Sequence, residues 1–384
     1  MTDKRFKKDN LIFIAVLTVA VIAVFSVGVF FWLSKENSSQ VINKETDSIY
    51  NTETSKSPES EPLADTDTQV DTYETTCDTT YDTEETTSPQ LSFDESSQLF
   101  LWEKQEEIIA WLSASVPTYM TTPETDENGV NLNDPVEYTP SVSFFYMDLT
   151  NGYTMEYNAD SVFYTASLIK APYVLWVLNE IEKREAEGSA KDTQYDVESI
   201  FVYTEDKFIS GSGIIQKSEF GTEFSYLDLL RLTITDSDNI AFNELRDIYG
   251  RKGFNEFSES LGVTNPQKKL FYATAREMGA YLKETYNYFN GDSVYAQMLK
   301  SWMQATNHRI MIPSSVRPLK VASKYGWDVG AYNDMAIVFH ENPYLLVLMT
   351  ELEKGSRADN AFIRELVSKI NDAHCGIYNN EVTE

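Results

Sequence analysis

Thr165-Ala166-Ser167-Leu168-Ile169-Lys170 leads straight into the apolar run Tyr173-Val174-Leu175-Trp176-Val177-Leu178. This pattern predicts a helix that starts near Ser167 and suits the centre of a domain. Lys170 then lies on the same helical face as Ser167, about one turn away. A serine hydroxyl is a weak nucleophile and needs a neighbouring base, or a cationic partner that eases its deprotonation. A lysine held close and partly desolvated can be neutral near pH 7 and serve as that base. The helix dipole favours the developing negative charge. Ser-x-x-Lys also describes a capping serine followed by a surface lysine. This one is the only such pairing in the chain, and an apolar helix follows it.

Outward from this stretch, residues 141–148 and 153–157 read as two strands joined by Asn151-Gly152, the pair a type I′ hairpin wants. Residues 166–305 read as a helical middle. Three strand-like runs follow near 319–325, 333–340 and 344–350, then an amphipathic helix over 357–373. A first helix begins near Gln98, with Leu99, Trp102, Ile108, Ile109 and Leu112 as its apolar stripe. The order implies an α+β fold: an antiparallel sheet of about five strands flanked by helices, plus an all-helical lobe.

The N-terminal third is different material. Residues 1–10 are basic, and Leu11 to Leu33 run without a charge, long enough to span a bilayer. The basic flank predicts a cytoplasmic N-terminus and an extracytoplasmic remainder. The run is long for a cleaved signal peptide and no small-x-small site follows it, so an uncleaved anchor is the reading. Residues 34–96 hold 16 acidic and 3 basic residues among Ser and Thr. So little apolar surface predicts a disordered, self-repelling spacer. The organisation is then a tail at 1–10, an anchor at 11–33, a linker at 34–96 and a catalytic domain at 97–384.

A net charge of −29 argues against nucleic acid as a partner. Cys77 and Cys375 have neither zinc-site spacing nor the pattern of a disulfide framework, and Cys77 reads as a free thiol. His308, His340 and His374 form no ligand pair in sequence, and no metal or cofactor is expected. No Gly-x-Ser-x-Gly elbow appears, which sets aside a Ser-His-Asp hydrolase.

Two more short segments carry chemistry. Ser237-Asp238-Asn239 offers a hydroxyl able to relay a proton and an amide able to grip a substrate amide, although such residues also make ordinary polar turns. Lys324-Tyr325-Gly326-Trp327 ends a strand-like run. Its lysine could hold a carboxylate, its glycine admits a close ligand, and the next amide could donate to an oxyanion. An edge lysine that discourages aggregation is the plainer reading.

Taken in order, Ser-x-x-Lys, Ser-Asp-Asn and Lys-x-Gly resemble the signature of class A β-lactamases and penicillin-binding proteins. The resemblance covers about residues 98–384, with Gly211-Ser212-Gly213-Ile214-Ile215 similar to the family's central lobe. It implies Ser167 as the acylated nucleophile and Lys170 as the acylation base or its electrostatic partner. It implies Ser237 as proton shuttle and Asn239 as a substrate-amide contact. Lys324 would attract the substrate carboxylate, Tyr325 and Gly326 would line the site, and the amides of Ser167 and Trp327 would form the oxyanion hole. The implied partner is a β-lactam or a peptidoglycan stem peptide, and the catalytic domain is expected to be monomeric.

The chain departs from the family twice. No Glu-x-x-Leu-Asn loop occurs: the matching stretch, Leu261 to Ala275, contains no acidic residue. None of Glu256, Glu259 or Glu277 is assigned the deacylating role. Without a positioned base the acyl-enzyme should persist. Tyr325 also stands where the family has Thr or Ser, and a phenol there narrows the cleft. Three readings remain: a β-lactam hydrolase, a D,D-peptidase or transpeptidase, and a non-turnover β-lactam or muropeptide binding module.

Overall fold

The computed structural model describes residues 95–123, 125, 131, 133–353 and 355–379. The expected tail at 1–10, the anchor at 11–33 and residues 34–94 of the expected linker lie outside them. Among the described residues no helix is long and apolar enough to cross a membrane.

Five strands build the central sheet: β1 (Val142–Asp148), β2 (Thr154–Tyr157), β3 (Lys320–Asp328), β4 (Ala331–Phe339) and β5 (Tyr344–Thr350). They run antiparallel in the order β2-β1-β5-β4-β3, so β3 forms one edge. The longer helices are α1 (Glu95–Ser115), α2 (Lys170–Ala186), α3 (Tyr226–Thr235), α4 (Asn239–Tyr249), α5 (Lys252–Ser260), α6 (Ala275–Phe289), α7 (Val294–Gln304) and α8 (Arg357–Asn379). The expected α+β plan is therefore present.

Both sheet faces are covered, which is why β5 reads as one apolar run, Tyr-Leu-Leu-Val-Leu-Met-Thr. Phe145, Leu345, Val347 and Met349 pack toward the helical lobe with Leu168, Val174 and Met278. Phe144, Tyr146, Leu346 and Leu348 pack on the opposite face against Leu101, Leu112, Leu366 and Ile370 of α1 and α8. Each such leucine, fully buried, contributes about 1.5–3 kcal/mol of transfer free energy. Helix α2 is buried along most of its first three turns, from Lys170 to Leu178, as its apolar sequence requires.

Several expectations need correction. The helical middle also contains two short ribbons, Val162–Tyr164 with Tyr272–Thr274 and Ile200–Val202 with Glu223–Ser225. The β1–β2 connection is longer than a two-residue type I′ turn. Asp148 N–H donates to Tyr153 O at 2.9 Å and Gly152 N–H to Asp148 O at 3.0 Å. Only Gly152, at φ 84°, is left-handed there, whereas type I′ needs two such residues. The Asp148 carboxylate instead accepts from the amides of Thr150 and Asn151. Helix α1 starts at Glu95, inside the expected linker, and buries Leu101, Ile108 and Leu112, while Leu99 and Trp102 are exposed. Cys375, buried on α8, is disulfide-bonded; Cys77, expected as a free thiol, lies outside the described residues.

Candidate active site

Ser167 sits in a single 3-10 turn, Ala166–Ile169, that runs directly into α2. Ala166 is left-handed, at φ 45°, a conformation that costs a non-glycine residue about 1–2 kcal/mol. Neighbouring bonds hold it: Thr165 N–H donates to Phe271 O at 2.8 Å and Leu168 N–H to Thr165 O at 3.1 Å. Strand β3 lies against this turn at Gly326. A β-carbon there would clash with the Thr165 carbonyl oxygen and lie 3.0 Å from the Leu168 amide nitrogen. Glycine is therefore what lets the strand edge meet the serine turn.

Ser237 lies in the turn between α3 and α4 and is also left-handed, at φ 52°. The Asp238 carboxylate fixes that turn by accepting four amides. Its Oδ1 caps α4 through Ile240 N–H and Ala241 N–H, at 2.9 and 3.0 Å. Its Oδ2 takes Ile214 N–H and Ile215 N–H, at 2.7 and 2.8 Å. Asp238 thus clasps the loop Ser210–Ile215 to the start of α4, reinforced by Asn239 N–H donating to Ser212 O at 3.0 Å.

Two buried lysines meet at Ser237. Lys324 Nζ donates to Ser237 Oγ at 2.9 Å and to Tyr325 O at 2.9 Å. Lys170 Nζ donates to Ser237 O at 2.6 Å and Asn239 Oδ1 at 2.7 Å, and lies 3.4 Å from Ser237 Oγ. Burial pushes the Lys170 ammonium down to about 7, against the opposing charge of Asp238. Burial, reinforced by the charge of Lys170, holds Lys324 well below the usual lysine range, with Asp334 opposing. A neutral Lys170 amine has two N–H bonds, and both are used on the two carbonyl oxygens. Its lone pair is left for a hydroxyl proton.

The Trp327 amide follows from the ladder. Asp328 and Ala331 close the two-residue loop between β3 and β4, and a closing pair is hydrogen-bonded across the strands. Alternation then turns the Trp327 N–H away from β4, toward the open edge. Ser167, Lys170, Ser237, Asn239, Lys324 and Gly326 are thus gathered where β3 meets the helical lobe.

Tyr325 is only 7% exposed. Its hydroxyl lies 3.3 Å from Ser212 Oγ, and the His308 ring stacks on it at 4.5 Å between centroids. Sequence reasoning missed His308 and Ser212 as parts of this site, and named Asp238 within its motif without giving it a role. His308 is in a loop with no motif around it, and the Ser210–Ile215 loop gains its role only from the Asp238 clasp.

The Leu261–Ala275 stretch is pinned by Glu277. Its carboxylate accepts from Thr264 N–H, Asn265 N–H, Asn265 Nδ2 and Thr274 N–H, at 2.7 to 3.0 Å. Burial pushes Glu277 up, but the bonds from Asn265, Thr264 and Thr274 outweigh it and hold the carboxyl below its ordinary value. Every bond it makes is to this loop and to the α6 cap. Among the described residues no cluster of potential metal ligands occurs.

A family model described as the beta-lactamase enzyme family matches residues 131–374. The comparison with curated proteins finds no match. Among solved structures, PBP-A is similar at 18% identity, covering 71% of this chain and 96% of that one, with a TM-score of 0.57. A variant of PBP-A seen as an acyl-enzyme complex with penicillin G gives the same identity and TM-score. A beta-lactamase from Sphaerobacter thermophilus covers 71% of this chain and 97% of its own, at 19% identity and a TM-score of 0.55. A class A beta-lactamase from Mycobacterium abscessus covers 71% and 99%, at 19% identity and a TM-score of 0.55. At these identities the likeness is one of fold.

Proposed function

The chain belongs to the beta-lactamase enzyme family of serine hydrolases, and from that premise we propose that it acylates Ser167 with β-lactam-like amides and releases the acyl group slowly. The observation that carries this is the buried chain Lys170–Ser237–Lys324 beside the Ser167 turn. Ser167 Oγ attacks the amide carbonyl, forming the C–O bond and passing its proton to neutral Lys170. The amides of Ser167 and Trp327 donate to the oxyanion. The C–N bond then breaks, and the proton reaches the departing nitrogen through Ser237 Oγ, which Lys324 orients. Lys170 holds Asn239 by its Oδ1, and the Nδ2, 3.5 Å from Ser210 O, is the donor for the substrate amide in this reading. Water completes the cycle by hydrolysing the ester.

Slow release rests on Glu277, whose carboxylate is occupied by the loop and the α6 cap. That feature also favours a second reading, a D,D-peptidase or transpeptidase acting on peptidoglycan stem peptides, in which an amine can replace water as acceptor. The apolar run at 11–33 supports placement as a single-pass membrane protein with its catalytic part outside.

The test uses the full chain. It is treated with a fluorescent penicillin and a chromogenic cephalosporin, and adduct mass and turnover are read together. A serine adduct that persists, absent in Ser167→Ala, is expected. Rapid turnover dependent on Ser167 would overturn slow release, and no adduct with either compound or with the methyl ester of benzylpenicillin would overturn β-lactam acylation.

A further inference from the structure

We propose that Tyr325 makes this site selective for acyl donors that carry no carboxylate beside the scissile bond. The proposal rests on the acyl-enzyme reading above and adds its substrate class.

The lysine that would meet such a carboxylate is covered. Lys324 is fully buried, its N–H bonds go to Ser237 Oγ and Tyr325 O, and the Tyr325 ring covers it with its centroid 4.2 Å from Nζ. The phenol reaches on to Ser212 Oγ at 3.3 Å, bridging the β3 edge and the Ser210–Ile215 loop. Ser212 is itself fixed, because its carbonyl accepts Asn239 N–H and Asp238 holds the next two amides after Gly213.

What faces outward instead is aromatic. His308 stacks on Tyr325 with rings 27° apart and lies 5.7 Å from the Trp327 ring. Trp327 is partly exposed and supported edge-on by Tyr332. The π-faces of such rings carry negative charge density and repel an anion, while they accept flat apolar or aromatic groups. Burial holds the His308 imidazole below its ordinary value, with a bond to the Asn307 backbone opposing and the charge of Lys324 assisting. Arg309, next in sequence, spends its guanidinium on the carbonyls of Gln304 and Val321, at 2.5 and 3.2 Å. A carboxylate would have to displace the phenol and lose its hydration before it could reach Lys324.

The experiment compares benzylpenicillin with its methyl ester. Both present the same strained amide, and the same C–N bond breaks in both; they differ by one charge. Second-order rates of adduct formation are measured by intact mass for the wild type and for Tyr325→Thr, with Ser167→Ala as blank and a neutral fluorophosphonate as an independent reporter of Ser167. The wild type is expected to acylate with the ester at least ten-fold faster than with the acid. Tyr325→Thr is expected to lower or reverse that ratio while fluorophosphonate labelling persists. A wild type that prefers the acid, or a ratio unchanged in Tyr325→Thr, overturns the proposal and leaves the acyl-enzyme reading standing. Absence of labelling by all three reagents overturns both.

Discussion

Lys324 Nζ and Ser237 Oγ are 2.9 Å apart, and both residues are fully buried. The hydroxyl therefore has a fixed cationic or amine donor on one side and the Lys170 amine on the other. Replacing Ser237 by alanine removes the relay between Lys170 and a leaving nitrogen. Acylation of Ser167→Ala-sensitive label should slow by about 10²–10⁴ in Ser237→Ala. Lys324 keeps its bond to Tyr325 O, so the fold should persist, checked by circular dichroism.

Gly326→Ala places a methyl group against the Thr165 carbonyl and the Leu168 amide, both backbone atoms that cannot swing aside. The cost should be about 1–3 kcal/mol. Thermal unfolding should show the loss, and adduct formation should fall with it, because the strand and the Ser167 turn are forced apart. Unchanged melting would contradict the close approach.

Ala166 and Ser237 hold left-handed backbones without being glycine. Ala166→Gly should raise stability by up to about 1 kcal/mol, as relief of strain exceeds the added chain entropy of glycine. It should also slow acylation by loosening the nucleophile turn. A lower melting temperature would show that the strain is absent.

Glu277→Gln should cost about 1–2 kcal/mol, since five donors lose a charged acceptor. Because the folded carboxyl sits below its ordinary value, its contribution is present above the unfolded pKa and is lost as pH falls through the folded one. The lifetime of the acyl-enzyme should not change. A markedly longer lifetime in Glu277→Gln would identify this carboxylate as the deacylating base.

Much of this was legible in the sequence because it is written in short-range pattern. The apolar run after Lys170 gave a buried helix, and the alternating or continuous apolar runs after Leu319 gave the strands of the sheet. Ser237-Asp238-Asn239 and Lys324-Tyr325-Gly326 were readable as polar punctuation at element ends. Other features depend on distant partners. Ile108 and Leu112 of the expected stripe are buried, but Leu101 joins them in place of Leu99 and Trp102, because the approach of α1 to β2 and α8 decides which stripe is covered. Asn151-Gly152 suggested a two-residue turn, and the Asp148 carboxylate selected a longer one by capping Thr150 and Asn151. The Asp238 clasp and the His308–Tyr325 stack join segments 24 and 17 residues apart through contacts that no local spacing encodes.

The central claim is that a neutral Lys170 accepts the proton of Ser167, and its most direct test is the pH dependence of adduct formation. With Lys170 pushed down to about 7 by burial, the rate should rise through a midpoint near pH 7, as the base form replaces the ammonium. The same depression means the folded state gives up a proton that the unfolded chain keeps between about 7 and the ordinary lysine value, so stability should rise with pH across that window. Lys170→Met should reduce that rise, leaving the part that Lys324 contributes, and Lys170→Arg should abolish the kinetic limb while retaining charge. The account expects both the limb near pH 7 and its loss in Lys170→Arg; a rate independent of pH, or a limb that survives the replacement, would contradict it.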